Sequence, residues 1–436
     1  MTRTKLALAL TCIASVALTA TPVGATLQDM PPLAVEALVE TPPRFDDEEG
    51  GDADADDPAI WVRADSPSDS VVLGTLKNGG LEAFGLQGQL LQHIDTPPPP
   101  AEGLEAGRFN NVDVLGEVDV AGLPAQLAVV TDRGRDRLRI YAIDAAGVEA
   151  GDGVLTDVTV DDAPRLFSAT EEEVEEQATG YGLALRTDAD GRVWAAVSQR
   201  HRTTIGLFRL FATADGTVTY EPRGQVELPT SFPLPDGDTW SPCEEPGEDP
   251  QVEGMVVDKR SDVLYAAQED VGVWRIPLDG ADLGIPRLVE RVREFGVPAT
   301  YDPDTEECTA SAPDPGFGGE HLSADAEGLT IAYQDNGRAT LVASSQGDNT
   351  FSLYRLRPEV LRLPWIRSFE VVDSAATDGV QHSDGAAVVT TAVGPTYPRG
   401  LLVVHDGDNT PVVEDEEGEE RANTNFKYLR WDDVRK

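Results

Sequence analysis

Short apolar runs punctuated by Gly, Asp and Asn turns dominate the chain. One set of runs lies at 71–74, 127–130, 193–197, 263–267, 340–344 and 401–404, and a second, each bearing an aromatic residue, at 139–143, 207–210, 273–276, 351–354 and 426–429. Continuous apolar runs of this length bounded by turn residues predict strands, and no amphipathic helix of convincing length competes with them. Each unit opens on a short polar head. The heads are Asp56-Asp57-Pro58, Asn110-Asn111-Val112-Asp113, Gly180-Tyr181-Gly182, Glu253-Gly254-Met255, Glu327-Gly328-Leu329 and Asp384-Gly385-Ala386. Counted from Asp57, they recur at intervals of 54, 70, 73, 74 and 57 residues, longer than a minimal four-stranded blade needs. Six such units predict an all-β, six-bladed β-propeller with the surplus length in loops.

That architecture carries a chemical consequence. Heads that begin the innermost strands converge on one mouth of the central channel, and five of the six bring Asp, Glu or Asn there. Unpaired carboxylates so close repel and shift one another's pKa, so a positive group is required among them. Oxygen ligands without His or Cys suit Ca²⁺ better than zinc or copper. For any single head the simpler role is to cap a turn by accepting a backbone N–H.

Lysine is scarce, occurring at positions 5, 77, 259, 427 and 436. Lys77, Arg133 and Arg200 occupy matching places after the second run of three consecutive units, and Glu269 falls at that place in the next. A cation trio beside a metal cluster makes a phosphate pocket, since guanidinium, ammonium and metal all bind and polarise phosphate oxygens. Other chemistries lack their motifs: there is no Walker loop, no Gly-x-Ser-x-Gly elbow and no His-Glu-x-x-His helix. The five histidines have no metal-ligand spacing, and Arg200-His201-Arg202 lacks the glycine of a histidine phosphatase.

Charge and cysteine bound the setting. With 78 acidic against 34 basic residues the net charge is -44, which excludes nucleic-acid or anionic-membrane binding by bulk electrostatics. Residues 1–25 read as an export signal, with Arg3 and Lys5, an apolar stretch over 6–20 and small residues at Val23-Gly24-Ala25. Losing those two cations takes the charge of -44 to -46, and a soluble, exported monomer is expected, with a lead segment over 26–45 and the propeller over 46–436. Cys12 leaves with the signal. Cys243 and Cys308 remain, and a single pair in an exported chain predicts a disulfide, here tying two Pro- and acid-rich loops. The acidic runs at 46–49, 171–176 and 414–420 read as solvated surface.

The motifs resemble those of the β-propeller (alkaline) phytases. They are Asp56-Asp57-Pro58-Ala59-Ile60-Trp61, Phe109-Asn110-Asn111-Val112-Asp113, Gln251-Val252-Glu253-Gly254-Met255 and, most specifically, His321-Leu322-Ser323-Ala324-Asp325-Ala326-Glu327-Gly328-Leu329. Ala343-Ser344-Ser345-Gln346-Gly347, Ser383-Asp384-Gly385 and Asn425-Phe426-Lys427 continue the match. The resemblance implies a calcium-dependent phosphoric monoester hydrolase of the 3-phytase type, releasing phosphate from myo-inositol hexakisphosphate by in-line attack of metal-activated water. It places Asp56, Glu253, Glu269, Asp325, Glu327 and Asp384 around the catalytic calcium, with Asp57 beside them. Lys77, Arg133, Tyr181 and Arg200 would meet the phosphate, and Asp378 and Asp406 would hold structural calcium.

Two departures stand out. Asn78 replaces a second lysine, which predicts a weaker neighbouring phosphate site, and Arg200-His201 stands where Lys-Glu is usual. Inserts at 229–250 and 296–319 carry the two cysteines and are expected to rim the active face. The competing readings are a calcium-dependent propeller lactonase or esterase, which needs one buried ion and no cation trio, and a non-enzymatic calcium-stabilised binding module.

Overall fold

The computed structural model describes residues 30–436 apart from 119, 121, 145, 148–152, 306, 358–361, 416 and 419. The expected signal, and the lead as far as residue 29, lie outside the described residues. Within the compact unit Pro32–Lys436 the six units of the sequence form six antiparallel sheets, each counted from the channel outward. Blade 1 is Pro58–Trp61, Val71–Thr75, Leu81–Phe84 and Leu90–Ile94; blade 2 is Phe109–Leu115, Leu127–Asp132, Arg137–Ile143 and Leu155–Asp157. Blade 3 is Gly180–Thr187, Val193–Gln199, Thr204–Ala212 and Val218–Glu227. Blade 4 is Val252–Asp258, Val263–Gln268 and Gly272–Asp279, edged by Asp282–Leu283 and Arg287–Leu288. Blade 5 is Ala326–Tyr333, Ala339–Ser345, Thr350–Arg355 and Trp365–Val372, and blade 6 is Ala386–Val389, Leu401–Asp406 and Asn423–Arg430. Each inner strand touches that of the next blade and the sixth touches the first, so the ring is a closed six-bladed β-propeller.

The residues expected as a separate lead belong to the propeller from Leu33 onward. Leu33–Glu36 pairs in parallel with the outer strand of blade 5, while Val39–Glu40 and Arg44–Phe45 both pair with Asn423–Arg430 of blade 6. N- and C-terminal chain segments thus complete one blade together, which closes the ring between its first and last parts.

The core is a set of layers between blades. Trp61, Leu73, Phe109 and Val130 fill one, between blades 1 and 2; Ile140, Leu183, Val197 and Phe208 fill the next. Blade 1 meets blade 6 through Val72, Phe84, Val403, Phe426 and Tyr428. At that seam a side-chain carbon on Gly74 would lie 2.2 Å from the ring of Phe426, so only glycine lets the first and last blades meet. Fully burying each large side chain in these layers contributes roughly 1.5–3 kcal/mol. No helix among the described residues is long and apolar enough to cross a membrane.

Candidate active site

The heads are set by a repeated irregularity. In blades 2 to 5 the inner strand slips register against its neighbour at one place, between Phe109 and Val112, Gly180 and Leu183, Val252 and Met255, and Ala326 and Leu329. Such bulges re-aim side chains, and the residues inside them are Asn110-Asn111, Tyr181-Gly182, Glu253-Gly254 and Glu327-Gly328. The glycines make the ring tight: a side-chain carbon on Gly182 would sit 2.0 Å from the Glu253 carbonyl, one on Gly254 2.2 Å from that of Glu327, and one on Gly328 2.5 Å from that of Asp384.

A second device, not anticipated from sequence, locks four of the six heads to the blade before them. Thr131 Oγ1 donates to the Tyr181 carbonyl at 2.6 Å, Ser198 Oγ to that of Val252 at 2.5 Å, Ser344 Oγ to that of Ser383 at 2.7 Å, and Thr75 Oγ1 to that of Asn110. Two residues beyond these hydroxyls come Arg133, Arg200, Gln346 and Lys77. The signal was a Ser or Thr two residues before Lys77, Arg133, Arg200 and Gln346, which Ala267 breaks before Glu269.

Around the mouth the carboxylates gather. One oxygen from each of Glu253, Glu269 and Glu327 lies within 4.8 Å of the others. Asp56 is 2% exposed and Glu253 and Glu327 5%, yet Asp56 Oδ2, Glu269 Oε1 and Glu327 Oε2 are buried without any hydrogen-bond partner. Burial raises the pKa of Asp56, Glu253, Glu269, Asp325 and Glu327, and their mutual repulsion, with that of Asp384, raises them further. A buried set of orphaned carboxylate oxygens is relieved by protonation or by a cation, and this all-oxygen donor set fits a hard divalent ion.

Cations ring the same mouth. Lys77, at φ 46°, sits 2.5 Å from Asp54 Oδ2; burial opposes its charge, but Asp56, Asp384 and Asp54 hold its pKa above the ordinary value. Asn110 bridges the two kinds of group: its amide donates to Glu253 Oε1 at 2.8 Å and its oxygen accepts from Arg133 at 2.9 Å. The Arg133 guanidinium lies 5.6 Å from the Tyr181 ring centroid, and burial with the charges of Arg108 and Arg200 pushes it down to about 10. Burial and the charges of Glu253, Glu269 and Glu327 keep the Tyr181 phenol protonated. Asp54 was not among the expected site residues, whereas Asn110 arrives with its head and Gln346 donates to Asp384 Oδ1. Beside Asn78, where a lysine was missed, Arg108 donates to its side-chain oxygen at 3.3 Å and to Asp52 at 2.7 Å.

Three expected ligands stand differently. Asp57 is a strand-joining acceptor: its Oδ2 takes the Val112 N–H at 3.0 Å, as Asp113 takes that of Leu185 at 2.7 Å one blade on. Asp378 and Asp406 meet at a second acidic cluster built around Lys427, whose ammonium reaches Glu40 at 2.6 Å, Asn409 at 2.8 Å, Asp406 at 3.2 Å, and Asp378. Three carboxylates against one ammonium leave two negative charges there.

The two cysteines form a disulfide, with Cα atoms 6.0 Å apart. The hairpin Phe232–Pro233 with Thr239–Trp240 packs Trp240 against Phe295, and the following loop docks on the turn after Arg200, where His201 Nδ1 meets Glu248 at 2.7 Å. Glu244, next to Cys243, is pushed up to about 8 by burial and by Asp325, Glu248 and Asp249. The insert therefore edges the acidic cluster.

A closed propeller ring whose mouth sets lysine and arginine beside a carboxylate cluster points to the class of propeller-fold phosphoric monoester hydrolases. The phytase family model matches residues 3–219 and 301–436, and the chain belongs to the phytase family, an enzyme acting on phosphoric monoesters. It is 29% identical to the 3-phytase of Bacillus subtilis (strain 168) over 388 residues, 88% of this chain and 81% of that one. Among solved structures, a Lactobacillus plantarum protein aligns with a TM-score of 0.38 at 14% identity, over 85% of this chain and 87% of that one. A putative 6-phosphogluconolactonase from Bacteroides uniformis aligns at 0.36 and 12%, over 72% and 85%. Likeness at that level carries no argument about function.

Proposed function

We propose that the protein is an exported, calcium-dependent phytase that removes phosphate from myo-inositol hexakisphosphate at this mouth. The observation that carries the proposal is the set of buried, unpartnered oxygens on Asp56, Glu269 and Glu327, in a cluster whose Asp56 and Glu253 feel the charges of Lys77 and Arg133. Asp56, Glu253, Glu269, Asp325, Glu327 and Asp384 would hold calcium, which when bound supplies the positive charge that neutralises phosphate oxygens and makes water more acidic. Lys77, Arg133 and Arg200 bind and orient the phosphate as ammonium and guanidinium donors, and the protonated Tyr181 hydroxyl adds a neutral one. Asn110 keeps the Arg133 fork and the Glu253 carboxylate in fixed relation. The residual negative charge at Asp378 and Asp406 supports a second, structural ion beside Lys427.

The deciding experiment incubates purified protein with phytate and Ca²⁺, in parallel with a chelator, and measures inorganic phosphate. Release with calcium that stops on chelation is expected; no release with calcium present overturns the reading.

A further inference from the structure

Outside the mouth, one buried carboxylate has no partner and faces open space. Glu290, on the segment that follows the outer edge of blade 4, is 5% exposed, and its Oε1 accepts no hydrogen bond. It lines a cavity of about 380 Å³ together with Arg291, Arg362, Gly318 and Gly319. The glycines let two backbone segments meet beside it: a side-chain carbon on Gly319 would come 2.0 Å from the Arg291 carbonyl and 3.4 Å from Glu290 Oε1. Arg291 is fixed: its guanidinium stacks 4.2 Å above the Phe295 ring centroid and donates to the Phe317 carbonyl at 3.0 Å. Burial and the neighbouring Arg362 both lower its pKa, so the two guanidiniums share one electrostatic neighbourhood.

Two guanidiniums and one carboxylate have the wrong sign for a metal and the right one for an anion. A phosphate facing the arginines is repelled by Glu290 unless the ligand also offers an O–H to the unpartnered Oε1, which inorganic phosphate does only by turning its own P–O–H away from the arginines. A phosphomonoester next to a free hydroxyl supplies both, with phosphate oxygens on the arginines. Burial, with Glu320 adding to it and Arg362 opposing, pushes the Glu290 carboxyl up to about 7, which limits the repulsion at neutral pH.

We propose that this cavity is a second, calcium-independent binding site for a hydroxyl-bearing polyol monophosphate, the chemical class of the lower inositol phosphates. The choice of polyol rests on the phytase reading above; the site itself rests only on Glu290 and the arginine pair.

The test is titration calorimetry on the full-length protein in chelator, where the acidic mouth repels anions and stays silent. The probes are myo-inositol monophosphate, inorganic phosphate and unphosphorylated myo-inositol. One site is expected, binding the monophosphate about tenfold more tightly than inorganic phosphate and not binding the free polyol. Arg362→Ala, at an exposed position, should weaken binding at least tenfold and leave calcium-dependent phosphate release unchanged. Glu290→Leu should remove the preference for the monophosphate while retaining phosphate binding. No binding, binding undiminished in Arg362→Ala, or equal affinity for inorganic phosphate in the wild type overturns the proposal. Absence of phosphate release from phytate with monophosphate binding intact would sink the phytase reading and leave the cavity standing.

Discussion

Two acid-rich regions of this molecule solve the same electrostatic problem in opposite ways. At the junction of the terminal segments, Glu40, Asp378 and Asp406 close around the fully buried ammonium of Lys427, and Asn409 adds a neutral oxygen. At the channel mouth, Asp56, Glu253, Glu269, Asp325, Glu327 and Asp384 converge with their cations set at the rim, and three of their buried oxygens are left unpartnered. The first region carries its own counter-charge in the centre and joins chain ends. The second has no such central counter-charge, and burial raises the pKa values of Asp56, Glu253, Glu269, Asp325 and Glu327 instead.

The sharpest way to break that contrast is at Glu327. Glu327→Gln keeps shape and removes one of the orphaned charges, so phosphate release from phytate should fall by about 10³-fold, the scale of losing a preorganised charge contact. Circular dichroism and the chelated-state melting curve should stay as in the wild type or improve, because a buried repulsive charge has gone. Retained turnover would refute the cluster as the reaction centre.

The complementary change, Lys427→Met, should act on stability and not on chemistry. It leaves three carboxylates without their buried ammonium, and breaking a buried pair in this way costs about 3–5 kcal/mol. Denaturant unfolding should report that loss, while phosphate release per folded molecule remains within about twofold. A variant as stable as wild type would mean that the lysine does not carry the junction.

Much of this was legible in the sequence because propeller strands are short apolar runs and the heads repeat in kind. The second strands fall where the runs predicted, since both faces of such strands are buried and continuous apolar sequence has no other stable place. Asp384 and Glu327 announced themselves by the glycine after each, which the structure explains by the next blade's backbone lying too close for any side chain. What stayed hidden depended on direction and distance. Asp56 and Asp57 are adjacent acids just before the strand Pro58–Trp61, yet one side chain turns to the cluster and the other to the Val112 N–H. Leu33–Glu36 carries too little pattern to reveal that its partner lies more than three hundred residues away. Lys427 reads as one more residue of a terminal strand until the fold brings Asp378, Asp406 and Glu40 to it.

A pH series should separate the two regions more finely. In the metal-free protein the carboxyls of Asp56, Glu269 and Glu327 stand well above their ordinary values of 3.8 and 4.5, first by burial and then by neighbouring charge. Such a group holds more protons folded than unfolded, so its stability contribution is full below the unfolded value and is lost as pH climbs through the folded one. Calcium binding needs the deprotonated carboxylates and offsets that loss. The melting-temperature gap between calcium-loaded and chelated protein should therefore widen steadily from about pH 5 to 8. At the Lys427 junction, Asp378 is held low while burial raises Asp406 to about 6, so their contributions oppose and add little slope. A gap constant with pH would mean that the mouth carboxylates are not the ligands that calcium titrates.

The smallest effect expected is at Arg108, and it bears on whether Asn78 leaves the neighbouring phosphate position without a cation. Arg108 hydrogen-bonds Asn78, lowers the pKa of Arg133 and pairs with Asp52, whose side chain is 63% exposed. An ion pair to so exposed a partner is weak, about 0–1 kcal/mol, so the guanidinium is available to a second phosphate at little cost. Arg108→Ala should raise KM for phytate about three- to tenfold with kcat nearly unchanged, and should not alter turnover of a simple monophosphate ester, which has no second phosphate to hold. Adding Asn78→Lys to that variant should restore KM. Equal losses on both substrates would place Arg108 at the reacting phosphate instead, and the mouth would then hold four cations around a single group.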